Sequence, residues 1–176
     1  VMRALGIDFT TLGGPENCCG AFHWHFGDAD LEKQVANISL ASFRRLKAKT
    51  VLSLCPDCDY SFGRHVAKQH TFRHLNISEI FVEHLDALKG LMKHPVRRKV
   101  ILHCHTKDEM RQRDADNVRR LIEAVPGIEL LPAEQALGPG FHCQTIAPMP
   151  PEDTARMFAE ASALGADCLV VPYHSC

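Results

Sequence analysis

The 176 residues suffice for one substantial α/β core or two small ones built on a common plan. Twenty Lys and Arg against 21 Asp and Glu leave a formal charge of -1. That balance gives no general field for nucleic acid, and the Arg97-Arg98-Lys99 cluster is too short to create one. With 45% apolar residues a packed core is expected rather than disorder. No apolar run approaches the roughly 18 residues that span a bilayer, so no transmembrane segment is expected. Eight cysteines and eleven histidines are the unusual counts. Eight cysteines in a secreted chain below about 100 residues would suggest a disulfide framework. Here they fall at the ends of apolar strands in an α/β pattern, which favours metal or cluster ligation in a reducing compartment.

In chain order, Ile7 to Leu12 reads as a short strand ending in the turn signal Gly13-Gly14-Pro15, with Cys18-Cys19-Gly20 directly after. Leu31 to Lys47 reads as an amphipathic helix with Leu31, Val35, Ile38, Ala41 or Ser42, and Leu46 on its apolar face. Val51 to Leu54 is a buried strand, and Cys55-Pro56-Asp57-Cys58 opens the helix that follows, running to about Lys68. A further helix spans Ser78 to Met92, capped by Ser78. Then Val100 to His103 reads as a strand leading to Cys104, and a helix carries Met110, Val118, Leu121, Ile122 and Val125 until Pro126-Gly127 stops it. Ile128 to Leu131 is a strand, and His142-Cys143-Gln144 follows a turn-rich stretch. A helix over Pro151 to Leu164 and a strand at Leu169 to Val171 lead to Tyr173-His174-Ser175-Cys176.

This order predicts an α/β fold of tandem βαβ units with mainly parallel sheets. The two halves also resemble one another. Gly6-Ile7-Asp8 leading to Cys18-Cys19 matches Gly127-Ile128-Glu129 leading to His142-Cys143, and Val51 to Cys58 matches Leu169 to Cys176. A duplicated cysteine-rich domain is therefore expected, divided as 1–95 and 96–176, the first incomplete at its N-terminus and the second at its C-terminus.

Ligands at the carboxyl ends of parallel strands converge in the crevice where α/β proteins place their sites. Cys55 stands where a helix begins, so free backbone N–H groups and the helix dipole favour its thiolate. A single Cys-x-x-Cys suits redox, zinc and iron–sulfur sites alike, but two pairs separated by a strand and a helix point more strongly to a metal or cluster. Successive side chains of an extended segment point apart, so Cys18 and Cys19 serve one centre only if the backbone bends sharply. Gly20 would allow this by positive φ or by close approach. A mononuclear zinc gains little from an adjacent pair, whereas two neighbouring thiolates can reach different irons of a cluster.

Cys18-Cys19-Gly20 followed by Cys55-Pro56-Asp57-Cys58 resembles the cysteine-rich CCG domain. That domain occurs in duplicate in the B subunit of heterodisulfide reductase and in the iron–sulfur subunits of glycolate and lactate oxidases. The resemblance implies a [4Fe-4S] cluster at the first motif, with Cys18, Cys19, Cys55 and Cys58 as four of the family's five cysteine ligands. The fifth would lie upstream of Val1. At the second motif it implies Cys104, Cys143 and Cys176, with His142 in place of a cysteine, Gln144 in place of the glycine and Tyr173 in place of another cysteine. Three thiolates and a histidine suit either zinc or a second iron–sulfur cluster.

His23, His25 and His105 are the candidate proton-carrying residues, because histidine exchanges protons near neutrality. His65, His70, His74, His84 and His94 show no convergent spacing and read as ordinary. Cys168 reads as a buried apolar cysteine. No serine–histidine–acid arrangement stands out. The implied function is that of an iron–sulfur subunit of an oxidoreductase complex. It would take electrons from partner subunits, a flavin-containing one among them, and reduce a disulfide or relay electrons to a quinone-linked partner. The implied location is the cytoplasm, with membrane association only through partners. The alternative is a zinc-stabilised interaction module without a redox role.

Overall fold

The computed structural model describes residues 1–66, 72–103, 109–132 and 151–172. They form an α/β fold in two compact units, Val1–Ile80 and Phe81–Cys176.

In the first unit, a 3₁₀ turn at Pro15–Asn17 leads through Cys18 and Cys19 to helix α1, Ala21–His25. Helix α2, Ala29–Arg45, starts where the Asp28 carboxylate accepts a hydrogen bond from the Leu31 N–H at 2.9 Å. Asp30 and Glu32 occupy its first turn and Arg44 and Arg45 its last, matching the helix dipole. Strand β1, Thr50–Ser53, leads into helix α3, Pro56–Val66. Strand β2, Arg73–Asn76, then pairs parallel to β1, from Thr50 opposite Arg73 to Ser53 opposite Asn76. This is one βαβ unit. Its core holds Cys19, Ala21, Ala36, Leu40, Phe43, Phe62 and Phe72, with Val51 and Cys58 packed on it. Phe43 meets Phe62 and Phe72 edge to face, with centroids 5.4 and 6.1 Å away.

Helix α4, Ile77–Glu83, begins at a reciprocal cap. The Asn76 side chain accepts from the Ser78 N–H at 2.9 Å, and the Glu79 carboxylate accepts from the Asn76 N–H at 2.8 Å. Helix α5, Leu85–Leu91, follows after His84. In the second unit, β3, Arg98–Leu102, is the central strand of a parallel three-stranded sheet, between β4, Ile128–Leu130, and β5, Cys168–Val170. Helix α6, Glu109–Glu123, lies between β3 and β4 in sequence, and helix α7, Pro151–Ala163, precedes β5. Ile101, Met157 and Ala161 form its core with Leu131, Ala166 and Leu169.

Several expectations need correction. Ile7 to Leu12 is not a strand: Phe9 and Leu12 are exposed and, among the described residues, β1 pairs only with β2. A strand needs a neighbour for its backbone groups. The predicted apolar face of α2 is turned outward. Ile38 is 59% exposed, Leu31 and Leu46 are also exposed, and the buried residues are Glu32, Ala36, Ser39, Leu40 and Phe43. The helix thus buries Leu40 and Phe43 together with the small Ala36 and the satisfied polar groups of Glu32 and Ser39. The expected helix Ser78 to Met92 is broken at His84, and its cap is Asn76, while Ser78 lies buried in its first turn. Strand β2 has no counterpart among the expected elements, because Arg73-His74-Leu75-Asn76 carries little apolar signal. Cys168 is exposed, at the start of an edge strand with a short sheet behind it.

Candidate functional site

Cys55 and Cys58 are placed by the junction of β1 and α3. Cys55 follows β1, and Pro56 opens the helix with its fixed φ. The Cys58 thiol makes hydrogen-bond contact with both Cys55 and Cys19. Cys55 is pushed down to about 6, first by the Cys58 thiol and then by the N–H groups of Cys58 and Asp57 at the helix start, against an opposing effect of burial. Cys19 is also lowered, chiefly by Cys58 and further by the Ala21 N–H. Cys58 is raised, because its proton is held between two sulfurs and burial disfavours its charge. Cys58 thus holds its proton between two neighbouring sulfurs, both of which are favoured as thiolates.

Cys18 is exposed, and its sulfur accepts from the Gly20 N–H at 3.4 Å. Gly20 has φ +79°, and a Cβ there would stand 2.6 Å from the Glu32 carbonyl oxygen. Both roles proposed for this glycine, positive φ and close approach, are thus present. The carbonyls of the pair are also held: the Ser39 hydroxyl donates to Cys18 O at 2.7 Å and the Ser61 hydroxyl to Cys19 O at 2.6 Å.

Around this loop lies a buried carboxylate. Glu32 is 2% exposed, has the Ser61 Oγ 2.9 Å from Oε1, pairs with Arg64, and has His65 Nε2 3.2 Å from Oε2. The Arg64 guanidinium lies 4.0 Å from the Trp24 ring centroid and 4.4 Å from that of Tyr60.

Of the candidate histidines, His25 reaches the Cys-x-x-Cys loop, with Nε2 3.8 Å from Asp57 Oδ1. His23 is half-buried in α1. Cys104, His105, His142, Cys143 and Cys176 lie outside the described residues. The residue before Cys104, His103, is buried at the carboxyl end of β3, where neighbouring strands lie on either side. This is the topological switch point of that sheet.

Sequence reasoning missed Glu32, Ser39 and Ser61. Ser61 stands three residues after Cys58, on the same helix face, and that spacing was the one available signal. It also missed Ser53, His74 and Asp59. His74 Nε2 lies 2.8 Å from the Ser53 hydroxyl and Nδ1 lies 3.6 Å from Asp59 Oδ1, with all three residues largely shielded from solvent. The ring's tautomer sets which of Ser53 and Nε2 donates in their hydrogen bond. Burial pushes His74 down to about 4. Because Ser53 is buried, this serine offers no nucleophile to a substrate. The group joins β2 to residues on either side of Cys55-Pro56-Asp57-Cys58.

Among the described residues, no group of three or more His, Cys, Asp or Glu side chains is arranged to hold a metal ion. The donor set nevertheless suits a thiophilic metal. Cys18, Cys19, Cys55 and Cys58 are free thiols in the one compact unit Val1–Ile80, and two of them are biased toward the thiolate.

The family model of the Cysteine-rich domain, CCG, matches residues 1–63. This stretch is a CCG domain. It contains Cys18, Cys19, Cys55 and Cys58, the 3₁₀ turn and helix α1 on either side of the adjacent pair, α2, and β1. Beyond the CCG domain, the chain is similar to the D subunit of dihydromethanophenazine:CoB–CoM heterodisulfide reductase from Methanosarcina barkeri. The two are 23% identical over 145 residues, covering 77% of this chain and 35% of that protein. The Methanosarcina mazei counterpart is 23% identical over 140 residues, covering 74% of this chain and 34% of its own length. The chain thus spans about a third of these relatives. No solved structure matches it. Among the described residues, no helix is long and apolar enough to cross a membrane.

Proposed function

We propose that this chain is an iron–sulfur subunit of an oxidoreductase complex of the heterodisulfide reductase type, with its redox centre at the CCG domain. The observation that carries the reading is the Cys58 thiol in contact with both Cys19 and Cys55, with Cys55 held down first by that thiol and then by helix N–H groups. Thiolates gathered this closely repel one another, and a metal or cluster relieves that repulsion. Similarity to two heterodisulfide reductase D subunits supports the same class.

In this reading Cys18, Cys19, Cys55 and Cys58 hold a [4Fe-4S] cluster, which supplies one-electron chemistry when bound. Reducing a disulfide takes two electrons and two protons and yields two thiols, so the site needs a proton supply as well as an electron donor. Partner subunits, one containing flavin, supply the electrons. His25, beside Asp57, is placed to hold a proton near the Cys-x-x-Cys loop, and His23 stands on the same short helix. His105 is a third proton carrier. Without a disulfide substrate, the same centre relays electrons to a quinone-linked partner.

Cys104, His142, Cys143 and Cys176 form a second, auxiliary site for zinc or another iron–sulfur cluster. The division into cysteine-rich units 1–95 and 96–176, related by duplication, belongs to the same proposal. So does a cytoplasmic location with membrane association through partners.

Anaerobic reconstitution with iron and sulfide tests the reading. A brown protein bleached by dithionite, with iron and acid-labile sulfide lost in Cys55→Ser, is expected. A colourless, fully folded protein with stoichiometric zinc, also lost in Cys55→Ser, would replace it with the zinc-stabilised interaction module.

A further inference from the structure

Adjacent cysteines on an extended segment point to opposite sides, so both serve one centre only if the backbone between them is held in a single bend. Cys18 itself is extended, with φ -72° and ψ 147°, and the chain turns only at Gly20. The carbonyl oxygens of Cys18 and Cys19 each receive a buried serine hydroxyl. Ser39 of α2 donates to the first at 2.7 Å and Ser61 of α3 to the second at 2.6 Å.

A serine inside a helix commonly returns its hydroxyl to the carbonyl one turn earlier. These two reach 21 and 42 residues along the chain instead, and both are fully buried. Ser61 Oγ also lies 2.9 Å from Glu32 Oε1, which is itself tied to Arg64. The one Ser61 hydroxyl proton thus lies between two acceptors, with Cys19 O the nearer, while the Glu32 backbone carbonyl faces Gly20. Cys58 and Ser61 lie one turn apart on α3, so this helix touches Cys19 twice, at its sulfur and at its carbonyl.

From this geometry we infer that Ser39 and Ser61 are positioning residues, which hold the adjacent cysteine pair by its carbonyls so that the Cys19 thiol faces Cys58 while Cys18 stays exposed. The inference rests on the reading of these cysteines as ligands and deepens it.

Alkylation of the metal-free chain by iodoacetamide, followed at each cysteine by mass spectrometry, tests it. A hydrogen bond worth about 1 kcal/mol corresponds to about a fivefold change. Ser61→Ala is expected to raise the Cys19 rate by about that factor, with Cys55 unchanged, and Ser39→Ala to raise it in the same residue-specific way. An unchanged Cys19 rate in both variants overturns the inference. So does a rise shared equally by Cys19, Cys55 and Cys58, which is general loosening. If Ser61→Ala does not fold, Ser39→Ala decides. Failure of both to fold would give the serines a purely structural role and also overturn it. Iron content of the reconstituted wild-type chain reads the metal centre separately, so failure of one reading is distinguishable from failure of the other.

Discussion

Arg64 of α3 grips the buried carboxylate of Glu32 on α2 while its guanidinium lies over the rings of both Trp24 and Tyr60. One guanidinium thus joins both helices to the aromatic edge of α1. It offsets the cost of placing a carboxylate directly behind the Cys18-Cys19 loop.

Removing the charge from Glu32 leaves Arg64 without its anion, and Ser61 with a weaker neighbour. Glu32→Gln should destabilise the fold by about 3 kcal/mol, at the low end for a buried pair because Arg64 is partly exposed. Urea unfolding measures this, with Trp24, the single tryptophan, as the fluorescence reporter. A change below about 1 kcal/mol would return the pair to the class of surface ion pairs.

Two glycines should respond in opposite directions. Gly20→Ala places a Cβ 2.6 Å from a backbone oxygen at φ +79°, and should cost about 2 kcal/mol or more. Gly63, inside α3 with open space around its Cβ position, should gain about 0.5–1 kcal/mol on replacement by Ala. Thermal melting of the metal-free variants checks both signs.

In the metal-free chain, alkylation of Cys55 should rise with pH to half its plateau at about 6, because its thiolate is favoured by the Cys58 thiol and the N–H groups of Asp57 and Cys58. Cys58→Ala removes the largest of these influences, so the midpoint should move upward toward the ordinary thiol range. A midpoint that does not move would assign the effect to the helix start alone.

His74 should make stability fall in acid. Its folded value is about 4, below the ordinary 6.5, so the unfolded chain takes up the proton first. Above pH 6.5 the residue contributes no slope. Between about 6.5 and 4 its contribution falls by about 1.4 kcal/mol per pH unit, and below that it levels off. Comparing unfolding of wild type and His74→Gln across this range isolates the slope. Parallel pH profiles would show that the ring is not held neutral.

The sequence by itself determined what depends on local geometry and apolar spacing. Pro56 after Cys55 set a thiol at a helix start, Gly20 marked the bend after the cysteine pair, and the apolar runs around Val51, Val100, Ile128 and Leu169 located parallel strands. Tertiary structure alone decided which side of α2 is buried, because Glu32 and Ser39 enter the interior only when Arg64, Ser61 and the Cys18 carbonyl meet them there. It also decided that Arg73–Asn76 is a strand, since His74 is satisfied by Ser53 and Asn76 by the turn that caps α4. Hydropathy records the cost of burying a polar group but not the distant partner that removes it. Polar interiors are therefore fixed by the fold rather than by local pattern.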